Sequence, residues 1–372
     1  MKILLLEPFL GGSHQQWAEG YQQHSQHDVS IIGLKGRHWK WRMYGGAVSL
    51  ARKLDKIKEL PDLILASDML DVATFRGLIN ATWRKIPLAT YFHENQITYP
   101  WSPTDQDLKL QRNNQYGFIN YTSALASDII YFNSSFHKIA FLEALPFFLK
   151  QFPDARELDT VAEIAAKSNV LPLGMDLQSL NTSPPKKKNK IPIILWNHRW
   201  EYDKNPESFF QLLFRLKAAK HRFKVIVLGA SYQQYPSIFN DARTLLKDEI
   251  LHWGYAPSKS EYARLLWIAD ILLTTSKQDF FGGSVVEAIY CNCYPLLPHR
   301  LAYPMHIPKA KWAMHLYHSD EEAYKMLESY ISSFSILKPV ESYQHFVAQY
   351  DWSILAAEYD LTFEQLIKYH GK

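Results

Sequence analysis

The sequence predicts an α/β protein made of two alternating strand-and-helix domains, each on a parallel sheet, and three observations carry that expectation. Short apolar runs recur in both halves, each followed by residues at helical spacing, which is the pattern of strands buried on both faces. The alternation is interrupted once, at Asn181-Thr-Ser-Pro-Pro-Lys-Lys-Lys-Asn-Lys190, where adjacent prolines and like charges resist packing. With 372 residues, the chain is long enough for two domains, each with its own core. The expected division is a first domain over 1–180, a linker over 181–190, a second domain over 191–345, and a terminal helix over 346–372. From Asp351 to Ile367 that helix has apolar residues at helical spacing and needs a neighbouring surface to bury them. Two such domains across a hinge make a deep cleft, a common place for ligands.

In the first half, Ile3 to Glu7 reads as a buried strand. It runs into Pro8-Phe-Leu-Gly11-Gly12-Ser13-His14 and then a helical pattern through Trp17 and Tyr21. A strand feeding a glycine turn and a helix start is a cradle for phosphate or sugar, although the full dinucleotide fingerprint is missing. Further strands are expected at Val29 to Ile32, Asp62 to Ala66, Leu88 to Phe92, Asp128 to Phe132 and Asn169 to Leu173. His93-Glu94-Asn95-Gln96 falls at the carboxyl end of one of them, where ligands of open parallel sheets bind. The HE pair has no second histidine at the spacing of a zinc protease, because position 97 is Ile. A ring that packs and caps the strand end is the plain account of His93, and its placement favours a ligand contact.

Gly36-Arg37-His38-Trp39-Lys40-Trp41-Arg42-Met43-Tyr44 interleaves cations with aromatics and reads as an exposed loop. Arg and Lys neutralise phosphates while Trp and Tyr offer faces to unpaired bases, so the stretch points to nucleic acid. Lys109 and Arg112 extend the same face or are simply solvated.

The second half restarts with strands at Ile191 to Asn197, Lys224 to Gly229, Ile250 to Gly254, Asp270 to Thr275 and Tyr294 to Leu297. After the first of these, His198 to Pro206 places Arg199 and Lys204 where a planar fork and a point charge can clamp a diphosphate. Surface ion pairs with Glu201 or Asp203 explain them equally well. After Asp270 to Thr275 comes Gln278-Asp279-Phe280-Phe281-Gly282-Gly283-Ser284-Val-Val-Glu287. Its two glycines allow close backbone approach, and the helix expected from Ser284 offers free N–H groups to an anion. Asp279 and Glu287, the latter in the first helical turn, can each accept two hydroxyl hydrogen bonds, as sugar and ribose require. Ser284 and Glu287 also have the spacing of a capping box, in which Glu287 serves only its own helix.

Composition narrows the class. The chain is 47% hydrophobic and 21% charged, which excludes a disordered protein, and its net charge of +4 excludes a nonspecific polyanion coat. Aromatics reach 14%, more than cores usually need, and suit sugars and bases. The two cysteines, Cys291 and Cys293, make no disulfide framework and a poor metal signal, so small buried side chains and a reducing cytoplasm are expected. The apolar start at Met1 is too short for a signal peptide, and no run approaches the roughly 20 residues of a membrane span. Phe141 to Phe152 is interrupted by Glu143, Pro146 and Lys150 and reads as a docked helix or a short amphipathic segment.

The Asp279–Glu287 pair resembles the paired-acid motif of retaining GT-B glycosyltransferases, with Asp where Glu is usual. Together with Pro8 to His14, Trp39 to Arg42, Tyr91-Phe-His-Glu-Asn-Gln-Ile-Thr-Tyr-Pro100, Asn197-His-Arg-Trp-Glu-Tyr-Asp-Lys-Asn-Pro206 and Phe280-Phe-Gly, the chain resembles the tRNA-queuosine mannosyltransferases. The stretch from about Pro298 to Tyr350 is the least distinctive. The resemblance implies a GT-B fold of two Rossmann-like domains facing a central cleft. It also implies a cytoplasmic, metal-independent enzyme without cofactor that moves mannose from GDP-mannose, with retention, onto the cyclopentene diol of queuosine in tRNA. The residues it implies as catalytic are His93, Arg199, Lys204 and Asp279. Gly11, Gly12, Phe281, Gly282, Gly283 and Glu287 would bind the donor. Ser13, His14, Arg37, Trp39, Lys40, Trp41, Arg42, Glu94, Asn95 and Gln96 would face the tRNA. A lipid, glycan or small-molecule acceptor is the alternative.

Overall fold

A computed structural model describes residues 1–110, 112, 114–181, 189–231, 235–334 and 342–370. Most of the expected linker, residues 182–188, lies outside the described residues. The chain forms two compact units, one of residues 1–176 with 350–372 and the other of residues 177–349.

The first unit carries strands β1 (Lys2–Leu10), β2 (Asp28–Lys35), β3 (Leu63–Ser67), β4 (Leu88–Phe92), β5 (Ile129–Phe132) and β6 (Ser168–Val170). They form one sheet in the order β2-β1-β3-β4-β5-β6, parallel throughout, with Ile3 opposite Leu63 and Ala89 opposite Ile129. Strands β3 and β4 are buried along their whole length, as central strands covered on both faces must be. β6 stops at Val170, short of the expected Leu173, and Pro172 has no N–H with which to extend the ladder.

Two helices follow the first two strands: α1 (Gly12–His24) and α2 (Trp39–Leu54). On one face of the sheet α1 and the terminal helix Trp352–His370 pack Trp17, Tyr21, Trp352, Tyr359 and Phe363 into a single aromatic core. Hydrogen bonds fix the pairing, because the Tyr21 hydroxyl donates to Asp360 at 2.9 Å and the Trp17 Nε1–H to the Tyr359 hydroxyl at 3.2 Å. On the other face Ala47, Leu50 and Leu54 of α2 pack with Leu6, Ile64 and Phe75. The apolar run at Phe141 belongs to the helix Ser135–Leu149, which buries Phe141, Leu145, Phe148 and Leu149.

The second unit carries β7 (Ile193–Asn197), β8 (Lys224–Leu228), β9 (Ile250–Gly254), β10 (Ile271–Leu273), β11 (Tyr294–Pro298) and β12 (Leu316–Tyr317) in the order β12-β11-β10-β7-β8-β9, again all parallel. Its core joins Trp196, Trp200, Phe209, Phe210 and Phe239 to Leu327 and Ile331 of the helix Asp320–Ser333. β12, only two residues long, is too short to leave a periodic signal in the sequence. Among the described residues no helix is long and apolar enough to cross a membrane.

In each sheet the strand order reverses once, between β1 and β3 in the first unit and between β7 and β10 in the second. Loops leave in opposite directions at such a point, and the crevice outside the carboxyl ends is where α/β sheets place ligands.

Trp352 lies between Gly20 and Gly174, where an added Cβ would come within 2.0 Å of the indole Nε1 and within 2.4 Å of its Cη2. Trp352→Ala should therefore cost about 3–5 kcal/mol and Gly174→Ala about 1–3 kcal/mol by overpacking. Urea unfolding midpoints of the purified variants would read both losses, and an unchanged midpoint for Gly174→Ala would show that the indole is not confined there.

Candidate active site

At the β1–β3 switch point strand β1 carries Glu7, a fully buried carboxylate, three residues before its end at Leu10. Its Oε1 accepts the Phe9 N–H at 2.8 Å and its Oε2 meets His14 Nδ1 at 3.0 Å. Burial works against charge on His14, but the Glu7 carboxylate, with Asp68 and Glu94 beyond it, overcomes this and raises the imidazole to about 9. His14 is thus an imidazolium paired to Glu7 at neutral pH. The neighbouring His93 has the opposite fate. Burial, then the charge of His14 and the proximity of His137, hold it well below the usual histidine range. Its ring lies 4.2 Å from His14, 4.6 Å from Trp17 and 4.8 Å from Tyr91, centroid to centroid, and its Nε2 has no partner among the described residues. Asp68, after β3, accepts the His93 N–H at 2.8 Å. Burial first, then Glu94 and Glu7, push its carboxyl up to about 8 against the pull of His14.

Gly11 and Gly12 turn the chain from β1 into α1. Gly12 adopts φ 56°, and no side chain caps the helix. A Cβ on Gly36 would come within 2.7 Å of Gly11 Cα, so the turn after β2 lies directly on the turn after β1. Ser13 is exposed at the start of α1.

The 36–44 stretch is not the exposed loop that its composition suggests. Trp39 opens α2 and packs on Tyr116, while Lys40 donates to Asp105 at 2.6 Å and to Asp107 at 2.5 Å and stands 5.4 Å from the Trp101 ring centre. These partners lie 65 and 67 residues away in the chain, beyond any local pattern. Lys40 therefore ties Asp105 and Asp107 to α2 and is not a free cation. Arg37 and Trp41 remain exposed, Arg42 donates to the Lys35 carbonyl, and Lys109 and Arg112 are exposed. After β4, Glu94 accepts the Gln96 side-chain N–H, and the buried Asn95 closes the turn by accepting from Ile97 and Thr98. Asn95 thus shapes the loop.

In the second unit the switch point between β7 and β10 gathers the other half of the expected residues. Lys204 is buried, donating to the Gln278 carbonyl at 2.7 Å and paired with Asp203 at 3.2 Å and Asp279 at 3.4 Å. Burial opposes the charge of Asp279, but Lys204 holds its carboxyl below the usual value, and the Tyr303 hydroxyl donates to it at 2.8 Å. Arg199 is exposed and lies 3.2 Å from Glu201. Both cations thus carry the ion pairs that the sequence offered as one alternative, Arg199 with Glu201 and Lys204 with Asp203. Phe281 is buried and its carbonyl meets His306 Nε2 at 2.6 Å. Gly282 takes φ 88° before the helix Gly283–Tyr290, a conformation that costs a side-chain-bearing residue strain.

The helix begins one residue earlier than expected, so Glu287 lies in its second turn and the capping box does not form. Instead the Tyr262 hydroxyl donates to Glu287 at 2.5 Å, and the Asn197 amide donates to the Tyr262 hydroxyl at 2.8 Å and to the Ser284 carbonyl at 3.0 Å. Cys291 and Cys293 are buried and unpaired.

Each unit thus collects its own share of the expected residues. Glu7, Asp68, His198, Tyr262 and Tyr303 were missed. An acid closing the run Leu4-Leu-Leu6 was the readable signal for Glu7, whereas Tyr303 falls in the least distinctive stretch. Among the described residues, Glu7, His14 and His93 bring ligand-type atoms within 4.8 Å of one another. Both Glu7 oxygens already hold internal partners there.

The family described as tRNA-queuosine alpha-mannosyltransferase N-terminal matches residues 2–175, and glycosyl transferases group 1 matches residues 180–304. The chain is 34% identical over 319 residues to a tRNA-queuosine alpha-mannosyltransferase of Drosophila melanogaster, covering 82% of each chain. Among solved structures it is similar to a sucrose-phosphate synthase of Thermosynechococcus elongatus, with TM-score 0.70, 12% identity and 99% of both chains covered. It is also similar to Anabaena HepE in complex with UDP-glucose, with TM-score 0.68, 14% identity and 98% of this chain and 100% of that one covered. These likenesses give the fold as GT-B, two Rossmann-like domains, and the chain is a glycosyltransferase.

The His14–Glu7 pair gives stability a pH dependence. Because the folded state raises the imidazole from 6.5 to about 9, its contribution is complete below pH 6.5 and is lost as pH rises through 9. The difference in melting temperature between wild type and His14→Gln should be largest at pH 6 and shrink steadily towards pH 10. A difference independent of pH would show that His14 is neutral in the folded protein.

Proposed function

The chain belongs to the tRNA-queuosine alpha-mannosyltransferase family, and from that premise we propose that it transfers mannose from GDP-mannose, with retention, onto the cyclopentene diol of queuosine at the tRNA wobble position. The observation that carries the transfer chemistry is the buried Lys204–Asp279 pair beside the N-terminus of the helix Gly283–Tyr290. Lys204 and Arg199 hold the donor diphosphate, and the amides of Gly282 and Gly283 face its oxygens. Asp279 takes hydroxyls of the sugar and Glu287 those of the ribose. His93, neutral and with a free ring nitrogen, is the group we assign to the anomeric side of the sugar.

In the reaction the bond between the anomeric carbon and the diphosphate oxygen breaks, and a queuosine hydroxyl oxygen bonds to that carbon on the same face. The hydroxyl proton passes to the departing phosphate, leaving GDP. Positive side chains neutralise the leaving group, so this scheme uses neither metal nor cofactor. Free thiols and a tRNA substrate suit a cytoplasmic enzyme.

Incubation with queuosine-containing tRNA and a panel of nucleotide sugars without added metal, followed by nucleoside mass spectrometry, tests the reading. One hexose on queuosine from GDP-mannose alone is expected, and Lys204→Ala should lower kcat/KM by about 10²–10³-fold. An inverted anomer in the product would rule out the same-face mechanism. Donor hydrolysis without transfer to tRNA would point to the lipid, glycan or small-molecule acceptor.

The tRNA face is proposed around Trp41, which is 63% exposed and rests on Gly45 so closely that a Cβ there would come within 2.8 Å of the indole. An exposed indole in the same stretch as Arg37 and Arg42 offers a stacking surface to an unpaired base. Gly45→Ala, which displaces the ring without removing it, and Trp41→Ala should each raise KM for tRNA about tenfold. Donor hydrolysis should stay unchanged, and equal KM values would place the RNA elsewhere.

A further inference from the structure

His198 stands immediately after β7, 5% exposed, and belongs to none of the roles assigned above. Its backbone is held from two sides. The Trp196 indole N–H donates to its carbonyl at 3.0 Å, and a Cβ on Gly229 would come within 1.9 Å of the same oxygen, so only glycine lets the two strand ends meet. The ring is held as well, edge-on to Trp196 at 5.2 Å and with Nδ1 3.2 Å from the Ser284 hydroxyl. On the opposite edge Nε2 is buried and has no hydrogen-bond partner among the described residues. Burial first, then the neighbouring Lys204, hold the imidazole down at about 4, with Asp279, Asp203 and Arg199 also within electrostatic reach.

A neutral imidazole has one N–H and one lone pair, and the bond at one nitrogen decides which the other presents. The tautomer that accepts the Ser284 hydroxyl proton at Nδ1 carries its own proton on Nε2. The group is then a fixed, uncharged donor at the β7–β10 switch point, left unpaired in surroundings where an unmet donor is unfavourable. Its charged neighbours locate the missing acceptor. Lys204 and Arg199 are the cations assigned to the diphosphate and Asp279 is the acid assigned to the sugar, so an acceptor matched to all three is an oxygen of the phosphate next to the sugar. We propose that His198 Nε2–H binds the sugar-proximal phosphate of the nucleotide-sugar donor, with Ser284 as the positioning residue that sets its tautomer. This rests on the nucleotide-sugar reading above and adds to it a residue that grips the leaving group before and after the bond breaks.

Calorimetric titration of the full-length protein with GDP, UDP, ADP, GMP and GDP-mannose tests it, using wild type, His198→Phe, His198→Gln and Ser284→Ala. His198→Phe keeps the ring shape without the donor and should weaken diphosphate binding about tenfold while leaving the monophosphate unchanged. His198→Gln, whose amide reaches the Nε2 position, should recover most of that loss, and Ser284→Ala should lose a smaller part. A purely structural role would weaken monophosphate and diphosphate alike, without recovery by Gln, and would overturn the proposal. Loss confined to GDP-mannose with free GDP unaffected would also overturn it, by moving the contact to a sugar hydroxyl. Failure of the wild-type protein to bind any nucleoside diphosphate would instead remove the nucleotide-sugar reading and this assignment with it. If His198→Phe does not fold, the comparison of His198→Gln with Ser284→Ala decides: monophosphate and diphosphate falling together in both overturns the proposal.

Discussion

The burial of the Lys204 ammonium constrains the loops that meet at the switch point of the second unit. A charge taken out of water is tolerated only where its partners are close and fixed. Here they are Asp203 beside it in sequence and Asp279 with the Gln278 carbonyl on the loop after β10. Two loops from adjacent strands are therefore tied to one nitrogen. Tyr303 holds Asp279 from a third segment, and the backbone N–H of Lys277 donates to the Asp203 carbonyl. The glycine turn at 282 and the helix that follows inherit their position from that arrangement.

The first unit meets the same requirement with different residues. Glu7 is a buried acid within the apolar run of β1, and His14, in the first turn of α1, supplies its counter-charge. That pair separates the behaviour of two adjacent imidazoles. One is charged because a carboxylate touches it. The other, His93, is neutral because burial and its charged neighbour both disfavour a proton. Neutral His93 and charged His14 thus come from position relative to one carboxylate.

Much of this was legible in the chain. Among the described residues, apolar runs located eleven of twelve strands to within a few residues, because strands covered on both faces are largely apolar. His93, Lys204, Asp279 and Gly282 were legible because strand-end positions in parallel sheets are where ligand chemistry gathers. The region from 36 to 44 was misread in its local structure, since cations among aromatics look alike in a loop and in a helix start. Lys40 shows the reason, for its two carboxylate partners lie far away in the chain and no local pattern carries them. The two-residue β12 and Tyr303 escaped for related reasons, one too short for periodicity and the other unremarkable until the fold sets it against Asp279.

What the sequence determined by itself was periodicity, turn chemistry and the residue types at strand ends, because these depend on neighbours a few positions apart. The tertiary structure alone decided the protonation and partnership of those residues. Whether His14 is charged, whether Lys40 is free, and whether Glu287 serves its own helix or Tyr262 depend on groups brought close by sheet order. Electrostatic and hydrogen-bond energies fall steeply with distance through space, and distance through space is what folding sets.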